Sequence, residues 1–255
     1  MAIIFLFTGV ALFAISYLLN SQIFVFIGLG LTFWGALFLL ITPSLFVEGK
    51  LMVNTISSSY ATDERIIRDL NCKGKAFHIP PYPSRSYLPE HLKGLREMVV
   101  FVPKDAKTLK SPSLDELAEG KFLIHKPKGI SLTPPGLGLL SSIENRTKVD
   151  FTKLSLVETG KALPKAILEN YSLAKEIELT VKPNDVYIKV QGSLYRSLYA
   201  DKSFAYSMPL LGCPIISSVA CALAKSSGKP VNIEKISYAE DLSTIEAQYR
   251  ILSVD

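Results

Sequence analysis

The first 47 residues of this chain contain no Asp, Glu, Lys or Arg; all 28 basic and 23 acidic residues lie between Glu48 and Asp255. That partition constrains the fold more than any motif. Some forty consecutive apolar residues need more surrounding protein than a chain of 255 residues has left over for them. Residues 3–19 and 23–41 are two apolar runs of about the length that crosses a hydrocarbon layer roughly 30 Å thick. Asn20-Ser21-Gln22 between them cannot carry the chain back across a bilayer, so the runs predict two antiparallel helices, a transmembrane hairpin over residues 1–43. Thr42-Pro43 marks its exit, because proline disfavours helical geometry in the residue before it. A secretory signal peptide is the rival reading. It calls for a basic start and a small-residue cleavage site, and neither Met1-Ala2-Ile3-Ile4 nor Tyr17-Leu18-Leu19-Asn20 supplies one.

A hairpin leaves both of its ends on one side. Lys50, Arg65, Arg68, Lys73 and Lys75 follow the second run while the tip carries no basic residue, so the positive-inside rule predicts a cytoplasmic soluble region in a cell membrane. Three cysteines, Cys72, Cys213 and Cys221, have no disulfide-framework spacing, which agrees. Gly28, Thr32 and Ala36 recur every four residues, the pattern of a close-packing helix face, for the first helix or for another subunit.

The remainder reads as two pieces, a membrane-proximal region with proline-rich loops over residues 44–149 and a second region over 150–255. Residues 45–70 are helical in pattern, interrupted at Ser57-Ser58-Ser59, with a fresh helix start at Thr62-Asp63-Glu64. Short strands are predicted at 76–79, 98–102, 122–125 and 130–132, and a proline-rich loop at 80–89. Thr133 is the predicted N-cap of a helix running toward Asn145. In the last hundred residues, helices at 151–170, 193–199 and 212–227 alternate with strand pairs 177–181/186–190 and 231–238/245–252. Consecutive strands joined by short turns pair antiparallel, so the fold class is α+β, with antiparallel sheets and helices after the N-terminal two-helix hairpin.

Gly212-Cys213-Pro214, a small-residue helix, and then Gly228-Lys229-Pro230-Val231-Asn232-Ile233-Glu234 with a closing strand resemble the vinyl-reductase-like sensor domain and its relatives among the TRAPP small subunits. The resemblance covers about residues 150–255. It implies a binding or scaffold module, often dimeric, with an apolar pocket for a small molecule. Sensor members carry a Gly and a Cys in the final hairpin; here residues 241–250 contain neither, so the likeness implies the fold rather than the sensing chemistry. The whole arrangement also resembles uncharacterised archaeal two-span membrane proteins.

Residues able to do chemistry are scattered. His78, His91 and His125 lack the spacing of a metal pair, and no Gly-x-Ser-x-Gly elbow is present, so neither metal nor cofactor is expected. Asp63-Glu64 and Asp115-Glu116 are adjacent in sequence, which on a helix points them apart. Cys213, just before Pro214 at the start of a predicted helix, reads either as a thiol activated by the helix dipole or as a small buried residue. Thr133 and Gly136 read either as a helix start or as an anion site. Cys213, Thr133 and Gly136 are therefore the candidate ligand-binding residues.

From Glu48 to Lys110 the charge is +4, while residues 150–255 balance. Arg65, Arg68, Lys73, Lys75, Arg85, Lys93 and Arg96 are accordingly the candidate contacts to an anionic membrane surface. A net charge of +5 is too small to make nucleic acid the expected partner. The sequence expectation is a membrane-anchored cytoplasmic scaffold or binding module, with the bilayer, a second copy, a membrane protein or an apolar small molecule as partner. An enzyme acting on lipid-borne substrates, and an accessory subunit of a larger membrane complex, are the alternatives.

Overall fold

The computed structural model describes residues 2–19, 21–40, 49–81, 98–106, 108, 112 and 114–252. The expected exit at Thr42-Pro43 and most of the proline-rich loop, with Arg85, His91, Lys93 and Arg96, lie outside these residues. The chain divides into two units, residues 1–48 and 49–255.

In the first unit α1 (Ala2–Leu19) and α2 (Gln22–Leu40) pack antiparallel, with Phe5 stacked on Phe38 at a centroid distance of 5.9 Å. Their seam is built on glycine. A Cβ at Gly9 would stand 2.6 Å from Thr32 Cγ2 and 2.9 Å from the Gly28 carbonyl oxygen, so only hydrogen fits. On α2 the buried positions are Gly28 and Gly35, seven apart, with Thr32 half-buried between them and Ala36 exposed. The four-residue stripe therefore gives way to a seven-residue repeat, which keeps one seam facing a partner helix. Three hydroxyls turn back on their own helices: Thr8 donates to the Ile4 carbonyl at 2.8 Å, Ser16 to Phe13 at 3.1 Å and Thr32 to Gly28 at 2.9 Å. Outward stand Ile4, Phe7, Val10, Leu18, Ile23, Phe26 and Trp34, all exposed.

The second unit is mixed helix and antiparallel sheet. Its strands are β1 (Phe77–Ile79), β2 (Val99–Pro103), β3 (Leu123–His125), β4 (Lys128–Leu132), β5 (Glu176–Val181), β6 (Asp185–Gln191), β7 (Val231–Tyr238) and β8 (Thr244–Ile251). They form one eight-stranded sheet in the order β3-β4-β2-β1-β7-β8-β6-β5. The joint is β1 on β7, with His78 opposite Val231 and Phe77 opposite Asn232. A boundary at 149/150 thus does not separate two sheets: residues on either side of it share this one.

Helix α9 (Pro214–Ser227) is the centre of the core, buried from Pro214 to Ala224. It packs on α5 (Leu137–Thr147) and α6 (Leu156–Tyr171) and on the inward side chains of β6 and β8, Val186, Ile188, Val190, Ile245, Ala247 and Tyr249. The window Ser207–Ser227 is apolar and long enough to cross a membrane, yet 89% of it is buried inside the unit, so its hydropathy is that of a core. The Lys225 ammonium meets the Glu144 carboxylate at 2.7 Å and ties α9 to α5. Helix α6 starts with a capping box, Ser155 and Glu158 exchanging bonds, preceded by a short 3-10 turn at Phe151–Lys153 rather than by a helix from residue 151.

Helix α3 (Gly49–Asp69) is one continuous helix, against the expectation of a break at Ser57 to Ser59 and a new start at Thr62. The hydroxyls explain it. Ser57 donates to the Val53 carbonyl at 2.9 Å and Ser58 to Thr55 at 2.8 Å, so neither competes for the helix amides. The Glu64 carboxylate, 6% exposed, accepts the amides of Tyr206 at 3.0 Å and Ser207 at 2.7 Å, where α8 (Ser207–Leu211) begins. Asp63 and Glu64 therefore have separate surroundings. Glu64→Ala strands those amides and costs about 2 kcal/mol, the penalty of unsatisfied buried donors. A urea titration of the full chain in detergent, followed by near-ultraviolet circular dichroism of the tyrosines, checks it; an unchanged midpoint refutes the bond.

Candidate functional site

The start of α9 gathers the buried polar groups of the core. Tyr60 donates its hydroxyl hydrogen to the Gly212 carbonyl at 2.6 Å, the Cys213 amide donates to the hydroxyl of Tyr199 on α7 (Arg196–Ala200) at 3.0 Å, and Tyr249 donates to the Ile216 carbonyl at 2.9 Å. Burial pushes the Tyr60, Tyr199 and Tyr249 hydroxyls well above their ordinary value. Cys213 is 1% exposed, and burial pushes its thiol up against the weaker pull of the Tyr199 hydroxyl and nearby amides. The geometry answers the choice left open by the sequence: Cys213 packs as a neutral thiol, and the dipole does not activate it. Cys221 and Cys72 are likewise buried with raised thiols.

Thr133 is exposed and does not cap α5; the N-cap is Gly136, three residues later. The turn Pro134–Leu137, closed by the Leu137 amide on the Pro134 carbonyl at 3.0 Å, takes up those positions and delays the helix. Gly136 is no anion cradle either. A Cβ there would lie 2.6 Å from Ser218 Cα and closer still to the Ser218 nitrogen, so the space an anion would occupy holds the α9 backbone. Thr133 and Gly136 thus face different surroundings.

His78 is fully buried in β1, its Nε2 3.4 Å from the Ser217 hydroxyl and its Nδ1 without a hydrogen-bond partner. Burial lowers it to about 4, partly offset by the Val231 backbone. His125 stands at the surface with Nδ1 3.7 Å from Glu116. Of the basic residues, Arg65, Arg68 and Lys73 are exposed at and just beyond the end of α3, whereas Lys75 pairs with Glu234, which Arg250 also approaches at 3.5 Å. Lys75 is therefore tied to the sheet.

A concave surface lies on the sheet itself. Where β1 to β4 carry a second apolar layer, with Phe77, Ile79, Phe101 and Ile124 under Leu117 and Ala118 of α4 (Leu114–Ala118), the outer face of β5 to β8 holds an open polar groove of about 370 Å³. Register places Glu178, Lys189, Glu246 and Ser237 in one row across the strands, and Thr180, Tyr187, Gln248 and Lys235 in the next. Gln248 donates to the Tyr187 hydroxyl at 3.1 Å, and the Lys182 ammonium sits 4.9 Å above the Tyr187 ring. Glu178, Lys189, Lys235 and Glu246 make no ion pair among the described residues, so two cations and two anions are free to meet a partner. No motif announced this surface. Its only signal was the alternation of polar with apolar residues in β5, β6 and β8, which is also the mark of any half-solvated antiparallel sheet.

Comparison with known proteins finds no match among curated proteins and none among solved structures. One family model matches residues 1–250, nearly the whole chain, under the description "Domain of unknown function (DUF7982)". The chain belongs to the DUF7982 family.

Proposed function

We propose that this protein is a membrane-anchored binding module, held by its two-helix hairpin in the bilayer, with residues 49–255 in the cytoplasm and the groove on β5 to β8 engaging a polar segment of a partner protein. The observation that carries it is the hairpin's surface, apolar and exposed all round, which water does not tolerate over an area of this kind. At 1.5 Å per residue α1 and α2 are about 27 and 28 Å long, close to the hydrocarbon thickness. The return of Thr8, Ser16 and Thr32 to backbone carbonyls suits a medium without water. The basic residues beyond the second helix favour the cytoplasmic side. An open groove lined mainly by charged and polar residues suits a protein segment better than a hydrocarbon.

Arg65 and Arg68 lie about 24 and 28 Å along α3 from Gly49, so their contact with headgroups requires that α3 lie along the surface. Three experiments test the reading. Without detergent, the full chain floats with zwitterionic liposomes on a density gradient, while residues 49–255 alone remain below; a full chain that stays in the aqueous layer removes the anchor. Protease added to intact cells spares residues 49–255, and cell permeabilisation exposes them; digestion in intact cells reverses the orientation. Glu substitution of Arg65, Arg68 and Lys73 reduces the binding of the soluble part to anionic vesicles if α3 lies against them.

A further inference from the structure

The sheet's two ends are finished differently. β3 is only three residues long, whereas β5 presents a six-residue edge with no proline and no bulge. An edge left in that state is a template for another strand. Among the described residues nothing pairs with it. The hairpin closes with the Lys182 amide on the Asp185 carbonyl at 2.9 Å. Hydrogen-bonded and non-bonded residues alternate along an antiparallel ladder, so Ile177, Leu179 and Val181 turn their N–H and C=O groups outward.

The outward pattern is self-complementary. A second β5, antiparallel about a two-fold axis at Leu179, sets Leu179 opposite its own copy and Ile177 opposite the second copy's Val181, so that every outward residue meets an outward residue. Opposed residues share a face. These apolar pairs therefore lie on the α6 side, and on the open face Glu176 meets the second copy's Lys182 at both ends of the strand. Neither Glu176 nor Lys182 has an ion-pair partner among the described residues. Apolar surface continues beside the edge. Gly160 of α6 lies directly over Val181 and Leu179, where a Cβ would be 2.9 and 3.2 Å from their side chains, and Val157 one turn earlier is 56% exposed.

We propose that β5 is a homodimer interface, pairing antiparallel with β5 of a second copy in the register centred on Leu179 and joining two sheets into one. The two-fold charge complementarity selects a second copy as the occupant, since an unrelated strand has no reason to carry the matching residues. Mass determination of the full-length protein in detergent, over a concentration series, tests it. The wild type dimerises. Glu176→Lys and Lys182→Glu each place like charges opposite one another at both ends, raising the dimer Kd about tenfold, and the double reversal restores it. Leu179→Cys cross-links to a covalent dimer on mild oxidation, since directly opposed Cα atoms about 5.5 Å apart suit a disulfide and the native cysteines are buried. Circular dichroism confirms that each variant is folded. A monomeric wild type overturns the proposal. So does a dimer indifferent to both single reversals, the behaviour of one held by the hairpin alone, or a folded double reversal that remains dissociated.

Discussion

Gly136→Ala lowers the melting temperature of the second unit by roughly 10 °C, while the same change at Gly138 raises it slightly. Gly136 adopts φ −85°, ψ −5°, open to any residue, so its requirement for glycine is steric. The added methyl meets backbone atoms of Ser217 and Ser218, which cannot rotate aside. Relief means moving α5 off α9, and with it Leu140, Ile143 and the Glu144–Lys225 pair. Overpacking of this kind costs about 3 kcal/mol, and a unit of this size shifts by about 2–4 °C per kcal/mol. Gly138 has open space around its Cβ position, so alanine there gains the ordinary helix preference of about 0.5–1 kcal/mol. Two thermal scans decide it: melting shifts of the same sign would falsify the close approach.

The second large effect is acid sensitivity centred on His78. The unfolded chain binds a proton near 6.5, and the folded one does not until about 4. Stability from this group is therefore complete above pH 6.5 and falls as the pH drops, by about 3 kcal/mol at pH 4. Asp63 works against it. Burial raises its carboxyl to about 6, so folding becomes more favourable as the pH falls through 6 toward 3.8. Glu116, Glu158 and Asp241 are held low by the amides of His125, Ser155 and Ser243, and Asp150 by the Thr152 hydroxyl, so their stabilisation is present above their unfolded values and is lost as the pH falls through the lowered ones. Asp63→Asn thus stabilises the protein at pH 7 and steepens its loss toward pH 4.5, whereas His78→Gln flattens that loss. Urea midpoints at pH 7.0 and 4.5 measure both; a His78→Gln variant with the wild-type slope excludes a buried neutral imidazole.

Local pattern carried most of the elements. The strands of the β5–β6 and β7–β8 hairpins fall within a residue of their expected bounds, because alternation and the Lys182–Asp185 turn are written in adjacent residues. What the chain does not write locally is which distant strands meet. The β1–β7 joint unites residues more than 150 positions apart, and nothing in Phe77-His78-Ile79 names Val231 as its neighbour. Cap placement failed at Thr133 because the Pro134–Leu137 turn intervenes, and the serines of α3 looked disruptive because their bonds to preceding carbonyls cannot be read from composition. Cys213 was legible as a helix start, but its inertness comes from burial, which only the assembled core around α9 supplies. The groove, likewise, needs four strands in register before its rows exist.

The apolar character of Ser207–Ser227 has a consequence for biogenesis. As it leaves the ribosome, this stretch has the length and hydropathy of a further span, and the strands that finally enclose it, β7 and β8, have not yet been made. On the proposed anchoring, a nascent chain tethered to the bilayer by its front end exposes a second insertion-competent segment, whose fate depends on whether the last two strands arrive before lipid does. Slowing synthesis after residue 227 would favour a misinserted topology, and hastening it would favour the sheet.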